Sequence, residues 1–186
     1  MFENVRSDFK AHNRQFLSWG FRAMLVYRFG RWRYRIKPRS LRLPFSFLYK
    51  LMFFYIQGKG IEIPCEIEIG EGFRIDHQGG IVISGFARIG RNCVVRNGVT
   101  IGLARVDDPA APVLGDNVDI GAGAKLLGRI SIGDNVRIGA NAVVLTDIPA
   151  GSIAVGVPAR VINTGREQTD ALRAEFSSSV HRLSAR

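Results

Sequence analysis

An aliphatic residue returns every sixth position along most of this 186-residue chain, and no other feature restricts its fold as tightly. The run is Ile63, Ile69, Ile75 and Ile81, then, after a two-residue insertion, Ile89, Val95 and Ile101. Beyond an excursion at 103–113 it continues through Leu114, Ile120, Leu126, Ile132, Ile138 and Val144. Gly follows the aliphatic at positions 70, 90, 102, 115, 121, 133 and 139, and a second small or apolar residue comes four places after it (Cys93, Val99, Val118, Ala124, Ile130, Val136, Ala142). Each hexapeptide therefore reads as a short strand and a turn. The branched residue points inward, Gly permits turn conformations, and Asn92, Asn117 and Asn135 face water or a corner. One hexapeptide cannot bury its own apolar face, whereas three close a triangular coil and stacked coils share one core. An antiparallel sheet protein would alternate with period two and hold no six-residue register across gaps.

Composition divides the chain. Residues 1–60 carry thirteen Lys/Arg against two acids, while 61–186 carry thirteen against fourteen, so the net charge of +10 belongs to the first third. Such asymmetry suits a surface facing anionic phospholipid or another acidic partner. Aromatics are interleaved with the arginines there, and Pro38 and Pro44 divide the segment into two expected helices, roughly 14–36 and 44–57. A basic, aromatic-rich helical pair can lie on a membrane or cap the coils; no motif points to nucleic acid. Residues 163–186 read as a loop and a short C-terminal helix. Two cysteines do not make a disulfide scaffold, no apolar stretch is long enough to span a bilayer, and the opening MFENVRSDFK shows no secretory signal, so the expected location is cytoplasmic, with peripheral membrane contact open to 1–60.

Five segments carry a resemblance: IDHQGGIVI at 75–83, NGVTIG at 97–102, GAGAKLLG at 121–128, IGANAVV at 138–144 and GVPAR at 156–160. Over 58–162 the chain resembles the hexapeptide-repeat acyltransferases, in the serine acetyltransferase branch and closest to the colanic-acid and exopolysaccharide O-acetyltransferases. The resemblance implies a mainly β fold, a left-handed parallel β-helix over 61–162 with a helical segment at 1–60. It also implies acetyl-CoA as co-substrate and a homotrimer with sites between subunits.

Acetyl transfer from a thioester to an alcohol needs a base for the hydroxyl proton and a group to orient that base. Of His12, His77 and His181, only His77 lies within the coils, beside Asp76 and just before Gly79-Gly80. By residues alone it can equally be a hydrogen-bonded turn histidine; the resemblance makes it the general base. The orienting carboxylate then falls on Glu62, where serine acetyltransferases carry Asp. Cys93 occupies an inward slot and reads as a core residue, which favours direct transfer over an acetyl-enzyme. By resemblance Gly102, Ala122, Lys125, Ala140 and Arg160 line the acetyl-CoA path, small residues allowing close approach to the main chain. The excursion reads Ala110-Ala111-Pro112 where the serine enzymes have Arg-His-Pro, which removes the evident partner of a serine carboxylate. The resemblance to the exopolysaccharide branch then implies as acceptor a sugar hydroxyl of an exopolysaccharide, capsule or lipid-linked saccharide, with Asp76, Asp107 and Asp108 as its candidate partners. Serine is the alternative acceptor, and a non-catalytic scaffold the third reading. A zinc site of the β-helical carbonic anhydrase kind needs three histidines where the coils offer one, so no metal is expected.

Overall fold

A computed structural model of the chain describes residues 2–162. The expected C-terminal loop and helix at 163–186 lie outside the described residues. Three parallel sheets form the walls of a prism. The first stacks β1 (Ile61–Glu62), β4 (Ile81–Ile83), β7 (Thr100–Gly102), β10 (Lys125–Leu127) and β13 (Val143–Val144). The second stacks β2 (Glu68–Ile69), β5 (Arg88–Ile89), β8 (Val113–Leu114) and β11 (Ser131–Ile132). The third stacks β3 (Arg74–Asp76), β6 (Val94–Arg96), β9 (Asp119–Ile120), β12 (Arg137–Ile138) and β14 (Ile153–Val155), closed by β15 (Arg160–Ile162), which turns back antiparallel.

All thirteen aliphatics of the six-residue frame are buried, and so are the seven small residues four places on. The cross-layer register fixes the coil lengths. Ile61 pairs with Ile81, Val82 with Thr100, Thr100 with Lys125 and Lys125 with Val143, so successive coils take 20, 18, 25 and 18 residues. The 25-residue coil contains the excursion. In the 20-residue coil the register Ile83↔Ile101 places Ile83, not Ile81, in the frame. The two extra residues therefore precede β4, in the corner His77–Gly80, rather than following it. Ile81 and Ile83 both point inward with period two, so the sequence fitted either assignment.

Corner geometry explains the polar repeats. Asn92, Asn117 and Asn135 adopt φ of 55, 59 and 58° and link side chain to side chain between layers at 3.3 and 3.2 Å. A second column of left-handed residues, Gly60, Gly80, Gly98, Gly123 and Asn141, runs up the edge where the third wall turns into the first.

Helices α1 (Phe2–Ala11), α2 (Trp19–Arg33) and α3 (Arg39–Gln57) close the lower end. The sequence pointed to two helices; the structure has three, because residues 12–18 leave helical geometry and Ser18 caps α2 by accepting the Phe21 N–H. Helix α3 runs through Pro44. Ser40 is exposed, so the carbonyl that Pro44 leaves unpaired can meet water.

Parallel stacking leaves the lowest strands with unpaired backbone groups, and helix side chains answer them. The Tyr27 hydroxyl donates to the Ile67 carbonyl at 2.9 Å and accepts the Ile69 N–H at 3.0 Å. Arg28, paired bidentately with buried Asp8, donates to the carbonyls of Ile69 and Gly70 at 2.8 and 2.5 Å. Arg31 reaches the Ile67 carbonyl, and the Tyr49 hydroxyl accepts the Cys65 N–H. Residues 2–60 therefore cap the prism, most of their buried polarity directed at its end. No helix among the described residues is long and apolar enough to cross a membrane.

Candidate active site

The corner between β3 and β4 carries His77 at φ 63°, a left-handed conformation uncommon for a residue with a Cβ. The two extra residues of this coil hold it there, so the imidazole leaves the wall and is exposed to solvent. It opens on a cleft of about 380 Å³ between the corner and the α1–α2 junction, lined by His12, Asn13, Trp19, Arg74, Asp76 and Gln78 among others. Arg74 Nε donates to Asp76 at 2.6 Å, both side chains being partly exposed. Arg74 is the sole Lys or Arg among the cleft's described lining residues.

His12 is the residue that sequence reasoning set aside. Its Nδ1 donates to the Asp8 carbonyl at 2.7 Å and its Nε2 accepts the Ile75 N–H at 3.1 Å, which assigns the neutral tautomer. Burial holds its pKa below the ordinary histidine value, partly opposed by the bond to Asp8. Helix α2 approaches so closely that a side chain at Gly20 would collide with the Ile75 carbonyl. Sixty-three residues separate His12 from Ile75, and no local pattern announces the contact.

Glu62 stands on β1, opposite Val82 in the layer above, with its side chain half-buried. It is one layer below the strand that His77 leads into, and the structure does not join the two by a hydrogen bond. Ala122 and Ala140 lie beside the left-handed column above His77, and the Asn141 N–H donates to the Ala122 carbonyl. Lys125 reaches the same edge, its Nζ donating to the Gly98 carbonyl at 2.5 Å and to Thr100 Oγ1 at 3.1 Å. The turn before β15 joins them, because the Val143 N–H donates to the Gly156 carbonyl. One edge thus collects His77, Ala122, Lys125, Ala140 and the start of the GVPAR segment, with Arg160 exposed at its upper end. Gly102 ends β7 at the opposite margin of that wall.

Asp107 and Asp108 are elsewhere. The excursion leaves between β7 and β8, a different corner from that of His77. Within it Asp107 pairs with Arg105 at 2.9 Å, and Asp108 accepts the Ala110 N–H at 3.2 Å. Neither lines the cleft. Cys93 is fully buried, and burial pushes its thiol pKa up to about 11, which leaves it unreactive at neutral pH.

Known proteins resolve the family. The family described as "Bacterial transferase hexapeptide (six repeats)" matches residues 111–146, and the hexapeptide repeat of succinyl-transferase matches 87–102. The apoenzyme of soybean serine acetyltransferase superposes with a TM-score of 0.73 at 32% identity, over 86% of this chain and 68% of that one. The chain belongs to the hexapeptide-repeat acyltransferases. A serine acetyltransferase solved in complex with CoA matches this family member with a TM-score of 0.69 at 30% identity, covering 86% of it and 68% of that chain. The serine acetyltransferase of Synechococcus elongatus is 39% identical over 154 residues, 82% of this chain and 61% of the relative. The chain spans about three fifths of the length of such relatives.

These relatives overturn the sugar acceptor. The expectation joined a resemblance to the exopolysaccharide branch with Ala110-Ala111 replacing an Arg-His pair, as though a carboxylate could be met from that loop alone. The fold supplies another cation, Arg74, beside His77. Asp107 and Asp108 lose their assignment to a saccharide with it.

Proposed function

We propose that the protein is an acetyl-CoA-dependent serine O-acetyltransferase, with His77 as general base and Arg74 as the partner of the serine carboxylate. The carrying observation is the single cleft that holds His77, Asp76 and Arg74 at the foot of an edge of small residues. His77 takes the proton of the serine hydroxyl, whose oxygen attacks the acetyl carbonyl. The C–S bond then breaks, and the same proton passes to the departing thiolate, giving O-acetylserine and CoA. Glu62, a layer below, and Asp76, next in sequence, are the carboxylates available to orient the imidazole and to stabilise its charged form. Along the edge, Ala122 and Ala140 leave backbone groups within reach of an extended amide chain, with Gly102, Lys125 and Arg160 as further contacts. A homologue's complex with CoA supports acetyl-CoA as the donor, and the buried, unreactive Cys93 supports direct transfer from it.

The working unit in this reading is a homotrimer in the cytoplasm. The excursion and His77 leave one prism at different corners, so a second prism is needed to bring a loop of this kind over the cleft.

The test is CoA release from acetyl-CoA with L-serine and, in parallel, with saccharides, for the wild type, His77→Ala and Arg74→Ala. Serine turnover that is abolished in His77→Ala, with the KM for serine raised in Arg74→Ala, supports the reading. Turnover with saccharides and none with serine would refute it.

A further inference from the structure

Helix α3 turns one face to the prism and leaves the other without a partner among the described residues. Tyr49 and Ile56 are buried, and Met52 and Phe53 pack against the core. On the opposite side Leu43, Phe47, Leu51 and Phe54 follow the i, i+4, i+8, i+11 spacing of a single helical stripe, and they are 70, 66, 54 and 76% exposed. An apolar stripe of this size on a surface marks an interaction site. Its charge surroundings are one-sided. Arg39, Arg42 and Lys50 lie on α3 itself and Arg35 and Lys37 in the turn before it, while no acid occurs anywhere from residue 9 to residue 61. None of these five cations forms a salt bridge to another described residue. Arg42 lies instead over the Tyr34 ring, 5.2 Å from its centroid.

We infer that this face of α3 docks on an anionic phospholipid surface, the apolar stripe entering the headgroup boundary and the five cations meeting lipid phosphates. Charge decides between occupants. A second copy of the chain would bring the same cations against each other with no acid to answer them, whereas an anionic bilayer offers both apolar depth and negative charge. The docking does not depend on which hydroxyl is acetylated. It leaves the cap intact, since the Tyr27, Arg28 and Tyr49 contacts lie on the side of the helices facing the prism.

The experiment is flotation of the full-length protein with vesicles of phosphatidylcholine alone and of phosphatidylcholine with phosphatidylglycerol. Wild type is compared with Phe47→Asp/Phe54→Asp and with Arg39→Glu/Lys50→Glu, whose substituted side chains are exposed and make no core contact. Wild type should float with the anionic vesicles, and each double variant, or the neutral vesicles, should weaken binding at least about ten-fold. Added salt should weaken it too. Unchanged melting temperatures and unchanged CoA release in solution would accompany that loss. Absence of vesicle binding overturns the proposal, as does binding that the variants leave intact. A wild-type assembly that falls apart in the Phe47→Asp/Phe54→Asp variant without any lipid would assign the face to a second copy instead.

Discussion

The imidazole of His12 accepts the backbone N–H of Ile75 at 3.1 Å, on the strand that runs into the His77 corner two residues later. The α1–α2 junction is thereby tied to the backbone that presents the candidate base. Replacing His12 with Ala leaves that N–H unpaired and should cost about 1–3 kcal/mol. Thermal unfolding measures the loss, and a fall in kcat larger than any change in KM would show that the corner itself has shifted.

That contact also has a pH dependence. His12 must be neutral to accept, and Asp8, Arg74 and Asp76 are the charges that face it. Its folded pKa lies below the unfolded value of 6.5, so the unfolded chain takes up the proton first. The stabilisation is complete above about pH 6.5 and declines as pH falls from there toward the folded pKa. Melting temperatures of wild type and His12→Gln, measured from pH 8 to pH 5, should converge toward acid, in roughly the window where an ordinary histidine titrates. Parallel curves would mean that His12 is not the titrating group.

Substitution of His77 by Asn should lower kcat about 100- to 10,000-fold, the usual contribution of a positioned base, while CoA affinity by calorimetry stays within about two-fold. Loss of both would point to a corner that collapses without the imidazole.

Bulk added to the edge should act on the other substrate. Ala140→Leu, at an exposed position beside the left-handed column, should raise the KM for acetyl-CoA and leave that for serine unaffected. Equal effects on both substrates would place the acetyl-CoA path elsewhere.

The Asp8–Arg28 pair lies in the interior, with side chains 1 and 6% exposed. Asp8→Ala strands a guanidinium there and should cost about 3–5 kcal/mol, whereas removing both charges with Asp8→Ala/Arg28→Met should cost less than Asp8→Ala alone. Denaturant titration of the three proteins gives the comparison.

The prism was legible because hexapeptide burial is a periodic, local signal. The thirteen inward positions of the frame from Ile63 to Val144 follow from it, and so does the placing of Asn92, Asn117 and Asn135 at water or a corner, though not their left-handed backbone. Where two inward residues stand two apart, as Ile81 and Ile83 do, periodicity cannot say on which side the extra residues fall, and only pairing with Ile101 decides. The helical boundaries were blurred because Pro38 and Pro44 were both read as breaks, whereas Pro44 is tolerated inside α3. His77 was legible as the histidine within the coils. His12 was not, since its role depends on a contact across 63 residues. The acceptor was misjudged because the absence of cations from one loop says nothing about cations that folding brings in from another element.

The buried end of the prism has a consequence for solubility. A stack of parallel strands has no intrinsic last layer, and a bare row of N–H and C=O groups is a template on which another chain can polymerise. Here Tyr27, Arg28, Arg31, Tyr49 and His12 occupy that row at one end, and β15 folds back over one wall at the other. The helices before residue 61 thus act as a stop against end-to-end fibre growth, and a chain shortened to its repeats would lose that protection while keeping every hexapeptide.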